Sequence, residues 1–169
     1  MTFPKKLEDE PAHKLGQYPG DGEKVYYSDD IYVGYRYYDT YKVEPQFPFG
    51  HGLSYTSFSY SNLKLEQKGA AVTVSFTLKN TGKTIGAEVP QVYVKQSQSL
   101  LPRPEKELKG FSKVSLQPGQ EKVVSIILGK DAFSYFNDIK NEWVSEPGQF
   151  QIMVGGSSRS LPLSGNIKL

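Results

Sequence analysis

The sequence predicts an all-β protein: a sandwich of seven strands preceded by an extended arm rich in aromatic residues. Three observations carry that expectation. Apolar and polar residues alternate with period two in several runs after residue 57, the spacing of strands with one buried and one wet face. Turn-forming Pro-Gly and Asn-Thr-Gly stretches separate those runs. Only one short segment, Lys130–Tyr135, has a helical character, with Asp131 as its expected N-cap. A β/α fold needs longer helices between its strands.

The strands follow in order. The first spans Phe58–Leu65, with Leu63 and Leu65 on it. In Val72–Lys79, Val72, Val74, Phe76 and Leu78 alternate with Thr73, Ser75, Thr77 and Lys79. Asn80-Thr81-Gly82-Lys83 turns the chain. Glu88–Gln96 is the third strand, with Val92 and Val94 inward and Gln91, Tyr93 and Lys95 outward; Pro90 marks an edge or a strand start. Lys109–Leu116 and Lys122–Leu128 flank the turn Gln117-Pro118-Gly119-Gln120. Phe150, Ile152 and Val154 alternate after Pro147-Gly148, and a last strand covers Ser160–Leu169. Seven short strands in about 110 residues suit an immunoglobulin-like sandwich. Trp143 is expected in its core, as sandwiches commonly bury a large aromatic.

Residues 1–57 differ. They hold nine of the twelve tyrosines, five prolines and six glycines, with seven Val, Ile or Leu. So few aliphatics between so many amphipathic rings predict no core of their own, but an arm shaped to lie on another surface. Isolated, residues 1 to about 45 are expected to be poorly ordered or to self-associate. Ile31–Tyr38 (IYVGYRYY) alternates as a strand, with Gly34 leaving room for a close approach and Arg36 placed to stack on a Tyr ring.

The 20 basic and 18 acidic residues are interleaved, which leaves no basic stripe for nucleic acid. No run has the apolar length of a membrane span, and no signal peptide is visible at the N-terminus. Cysteine is absent and the two histidines, His13 and His51, are far apart, so neither a metal site nor any other cofactor is expected. His51, between Gly50 and Gly52, has no G-x-S-x-G partner and is expected to be a turn residue. Asp29, Asp30, Glu44, Glu105, Glu107, Asp131 and Asp138 read as solvated charge. Asp39, which closes the aromatic segment beside Arg36, reads as a salt-bridge or binding group. Arg103, between Pro102 and Pro104, is expected to be rigid and exposed.

The segments TFPKKLED, IYVGYRYYDT, FPFGHGLSYTSF, LPRPEKELKGF and VSEPGQFQIMVGGSSR, in that order, resemble the C-terminal end of family 3 glycoside hydrolases, the β-glucosidase-like enzymes. The resemblance covers essentially the whole chain. It implies a fibronectin type III-like domain over 58–169. Residues 1–57 become an arm and hinge from the end of an α/β-sandwich domain, with Tyr32–Asp39 as one of its strands. Gln46–Phe58 (QFPFGHGLSYTSF) becomes the hinge between catalytic body and sandwich. The family's catalytic Asp and Glu come from segments before the TFP motif, so this chain is expected to lack both. Asp29-Asp30 departs from the Glu-Gly usual there. The implied function is non-catalytic: support of a β-glycosidase that removes terminal β-linked glucosyl or related residues with retention. The implied partner is the remainder of that enzyme. Tyr35, Arg36, Tyr37, Asp39 and His51 are the candidate interface or substrate-rim residues. A free-standing carbohydrate-binding or cell-surface module, with exposed Tyr and Trp143 as stacking residues, is the alternative.

Overall fold

The computed structural model describes residues 1–14 and 16–169. Its centre is a sandwich of two antiparallel sheets. One has three strands: β1 (Phe58–Lys68), β2 (Ala71–Asn80) and β7 (Glu121–Leu128), in the order β1-β2-β7. The other has four: β4 (Gln91–Gln96), β5 (Glu107–Phe111), β10 (Gln149–Gly155) and β11 (Leu163–Lys168), in the order β11-β10-β4-β5. Two small ladders complete it: β3 (Gly86–Glu88) with β6 (Val114–Leu116), and β8 (Ser134–Asn137) with β9 (Glu142–Ser145).

The alternation read from the sequence sets the core. Val72, Val74, Phe76 and Leu78 of β2 face Val92 and Val94 of β4 and Phe150, Ile152 and Val154 of β10 across a dry interior. Removing that apolar surface from water is what holds the two sheets together. Asn80 ends β2 and is itself buried; its Nδ2 donates to the carbonyls of Thr84 and Leu116, at 2.8 and 3.1 Å. Its own polar group is thereby satisfied, and the turn after β2 is tied to β6.

Several expectations are corrected. Lys109–Leu116 is two strands in different sheets, and Glu88–Gln96 divides at Pro90 into β3 and β4. Proline has no N–H for a ladder, so the break falls there. The helical turn is a 3₁₀ turn over Lys130–Phe133 with Gly129, not Asp131, at its N-cap. Trp143 lies on the short β8–β9 hairpin, 67% exposed, in an edge-to-face pair with Phe136. Phe133 and Phe150, stacked edge to face at 5.2 Å, fill the core position expected of it.

The largest correction concerns the aromatic segment. Ile31–Tyr38 is no strand; Tyr35–Thr40 forms a short helix, α2, after the four-residue helix α1 (Pro11–Lys14). A lone strand here would have no neighbour to bond, whereas a helix satisfies its backbone internally. Gly34 begins α2 with φ +54°, a conformation costly for any residue with a Cβ. Nothing approaches its missing side chain, so Gly34 serves backbone freedom rather than a close contact. The arm finds its packing surface within the chain: Tyr37, Tyr38 and Asp39 are buried. An antiparallel bridge ties Phe3 to Phe47. The loop between α1 and α2 keeps a row of exposed apolar side chains, among them Tyr18, Val25, Tyr26 and Tyr27.

Candidate functional site

Four of the five candidate residues come together on α2, and the helix lies against the outer face of the four-stranded sheet. Tyr93 shows why. It points away from the sandwich core, opposite to Val92 and Val94, yet it is fully buried. The Tyr35 ring meets it edge to face at 5.7 Å and also packs on Phe49 at 5.2 Å. Such aromatic pairs add about 0.5–1.5 kcal/mol beyond their burial. The Tyr35 hydroxyl accepts the Leu108 N–H of β5 at 2.8 Å, and the Tyr93 hydroxyl donates to Gln91 at 2.5 Å. Burial pushes the Tyr93 hydroxyl well above the ordinary phenol range, helped by Tyr35 and Asp39 nearby.

Asp39 is the electrostatic anchor. Its side chain is 2% exposed and takes two cations, Lys106 at 2.8 Å and Arg159 at 2.5 Å. Arg159 also reaches Glu44 at 3.5 Å and donates to the carbonyls of Tyr38 and Val43, at 3.1 and 3.0 Å. One guanidinium from the β10–β11 connection thus holds α2 and the chain that leaves it. A planar five-donor group suits this task, where an ammonium would make fewer directed bonds. Thr40 accepts the Glu105 N–H at 2.9 Å, adding a neutral bond to the same seam.

Arg36 does not stack on a tyrosine; its guanidinium pairs with Glu107 at 3.3 Å. Glu107 also receives Arg103 at 2.6 Å and Lys109 at 3.5 Å, so it is a hub rather than solvated charge. Burial by itself would raise its carboxyl, but Lys109, Arg103 and Arg36 together hold it below the usual range. Arg103 is largely buried, not presented: it bonds Gln96 at 2.6 Å and lies over the Tyr135 ring. Tyr37 faces Tyr38 and Tyr41 rather than the sheet. Tyr38 is pushed up to about 12, by burial first and then by Glu10 and Asp9.

His51 stands apart. Its ring stacks on Phe47 at 5.1 Å, and it lines an open groove of about 430 Å³ with Leu53, Phe58 and Glu88. The segment expected to be a hinge divides here. Phe49 accepts the Ser158 N–H at 2.8 Å, and Gly50, at φ +82°, sits directly on the Gln91 side chain. Beyond it, Leu53 and Tyr55 are almost wholly exposed.

The candidate list missed Tyr93, Lys106, Glu107 and Arg159, which are the sheet's half of the seam. Each lies 50 or more positions from its α2 partner in the sequence, so no local pattern reveals the pairing. Nothing in the seam sets two free carboxyls across a cavity, and among the described residues no group of acidic and histidine side chains could hold a metal ion. The arrangement positions backbone; it contains no exposed nucleophile activated by a base.

The chain has relatives among known proteins. The model of the fibronectin type III-like domain matches residues 88–158. Thermostable beta-glucosidase B of Acetivibrio thermocellus is 46% identical over 99% of this chain, which spans 22% of that protein. The crystal structure of the GH3 beta-glucosidase of Bifidobacterium adolescentis superposes with a TM-score of 0.94 at 36% identity, covering all of this chain and 25% of that one. Beta-glucosidase 3B of Thermotoga neapolitana, solved with α-D-glucose, superposes at 0.90 with 42% identity over 99% of this chain and 23% of its own. The chain therefore spans between a fifth and a quarter of the length of these relatives.

Proposed function

The chain belongs with the C-terminal segment of family 3 glycoside hydrolases, and from that premise we propose that it is a non-catalytic part that supports the catalytic body of such an enzyme. The observation that carries this reading is the seam itself. Residues 35–49 are fastened to the sheet by Tyr35 on Tyr93, by Asp39 between Lys106 and Arg159, and by Phe49 on Ser158. The side chains left exposed on residues 18–33 and on Leu53 and Tyr55 then form the surface for the rest of the enzyme. We assign residues 1–57 to the arm and hinge and 58–169 to the fibronectin type III-like domain. Tyr35, Arg36, Tyr37 and Asp39 act as interface residues, and His51 with its groove belongs to the rim of the same contact.

The supported enzyme would hydrolyse terminal β-linked glucosyl or related residues with retention, through two carboxylates supplied outside this chain. Two measurements test the proposal. The pure chain should release no aryl alcohol from an aryl β-glucoside above blank. Deleting the matching segment from a full-length relative should lower both its thermal midpoint and its kcat. Turnover by the pure chain, or an unaffected deletion variant, contradicts the proposal. The exposed Phe136–Trp143 pair favours a second reading as a sugar-stacking module. Titration with soluble β-glucans decides it: binding that disappears in Trp143→Ala would favour the module.

A further inference from the structure

We infer that Arg36, Arg103 and Lys109, gathered around Glu107, form a binding site for a second oxyanion, a carboxylate or a phosphate. The cluster is unbalanced. Three cations converge on one carboxylate, leaving an excess of two positive charges where α2 meets β5. Arg103 is 11% exposed, Lys109 16% and Arg36 33%, so water does not fully screen that excess. Arg36 and Lys109 share a single oxygen, Oε1 of Glu107, at 3.3 and 3.5 Å, while Oε2 goes to Arg103. A guanidinium has five N–H donors and an ammonium three. Arg36 and Lys109 each reach Glu107 through a single nitrogen, which leaves most of their donors uncommitted by Glu107.

The other acidic groups nearby are already committed. Glu105 pairs with Lys95. Glu146 accepts the Tyr135 hydroxyl at 2.6 Å on one oxygen and Gln96, Ser99 and the Leu100 N–H on the other. The neighbouring cluster provides the contrast: Asp39 and Glu44 face Lys106 and Arg159, two charges of each sign. The same seam therefore holds one neutral cluster and one with a net positive charge. Lys109 is consistent with this. Burial lowers its ammonium below the usual lysine range, and Arg103 and Arg36 press it further down against the pull of Glu107. An oxyanion seated among the three cations would remove that repulsion and make paired, charge-assisted hydrogen bonds. Its source is either a free small anion or an acidic side chain from a polypeptide packed against β5.

The test is a titration of the isotope-labelled chain with sodium phosphate, and separately with sodium acetate, each at constant ionic strength against chloride. Side-chain resonances of Arg36 Nε, Arg103 Nε and Lys109 Nζ are followed, with Arg159 Nε as the internal control. Saturable shifts at the first three and none at Arg159 are expected. Lys109→Gln, whose side chain has one long contact to lose, should weaken binding about tenfold. Glu107→Gln should tighten it, which a purely structural role for Glu107 would not do. Similar affinity for acetate and phosphate indicates a site for an acidic side chain; strong preference for phosphate indicates a free anion. Linear, non-saturating shifts, equal shifts at Arg159, or unchanged binding in both variants would overturn the inference.

Discussion

Asp39→Asn tests the seam most directly. The substitution keeps the shape of the side chain and removes its charge, so Lys106 and Arg159 lose their shared counter-ion in a place where Asp39 is 2% exposed. Removing one partner of a buried pair costs about 3–5 kcal/mol. Arg159 is one-third exposed and keeps Glu44 and two backbone carbonyls, so the lower end, about 3 kcal/mol, is expected. That energy should appear where α2 opens. The amides of Tyr37, Tyr38 and Tyr41 donate to carbonyls within α2 and its start, and they exchange with solvent when the helix leaves the sheet. Native-state hydrogen exchange should therefore accelerate about 100-fold at these three amides. The amides of β2 and β10 should change far less, because their ladder does not depend on α2. Acceleration of less than about threefold at Tyr37, Tyr38 and Tyr41 would mean that Asp39 does not hold the helix. Equal acceleration throughout would mean that the helix and the sandwich open only together.

Ile152→Ala, in the dry centre of β10, should cost about 2–5 kcal/mol in urea unfolding. Gly50→Ala should lower stability by about 1–3 kcal/mol, since it combines a positive φ with a methyl group driven into Gln91; the thermal midpoint reads this. Glu107 has a depressed carboxyl, so its stabilisation is present above an unfolded value of about 4.3 and is lost as pH falls through the lower folded value. Stability measured from pH 6 down to pH 3 should drop less steeply in Glu107→Gln than in the parent chain. Trp143 is the single tryptophan; its exposure predicts red-shifted emission and ready acrylamide quenching. Blue-shifted, protected emission would contradict the hairpin placement.

The seven main strands are legible because polar and apolar residues alternate along them and turn residues separate them. Val72 to Leu78 alternates with Thr, Ser and Lys, and Pro118-Gly119 and Pro147-Gly148 mark where chains turn. Helix α2 was not legible. Over six to eight residues, tyrosines at i and i+2 fit a strand as well as those at i and i+4 fit a helix, and tyrosine itself favours strands. What decides is the sheet beneath, through Tyr93, Lys106 and Arg159, which no local window contains. The same reason hid the burial of Tyr93: its polar-side position in β4 was read correctly, but its cover comes from residue 35. The break within Lys109–Leu116 falls at Ser112-Lys113, which has neither Gly nor Pro to announce it. At the candidate site, the resemblance drew attention to α2 through its motif. The charged partners Lys106, Glu107 and Arg159 lie in two other motifs, LPRPEKELKGF and VSEPGQFQIMVGGSSR, and Tyr93 lies in none; only the fold makes their convergence visible.

The fastening of residues 35–49 also bears on how the sandwich can be cut out for study. A gene fragment started at Phe58, where β1 begins, would strip the Tyr93 ring bare, leave Lys106 and Arg159 without Asp39, and vacate the ledge where Phe49 meets Ser158. The smallest fragment that keeps every one of these surfaces dry begins no later than Gly34.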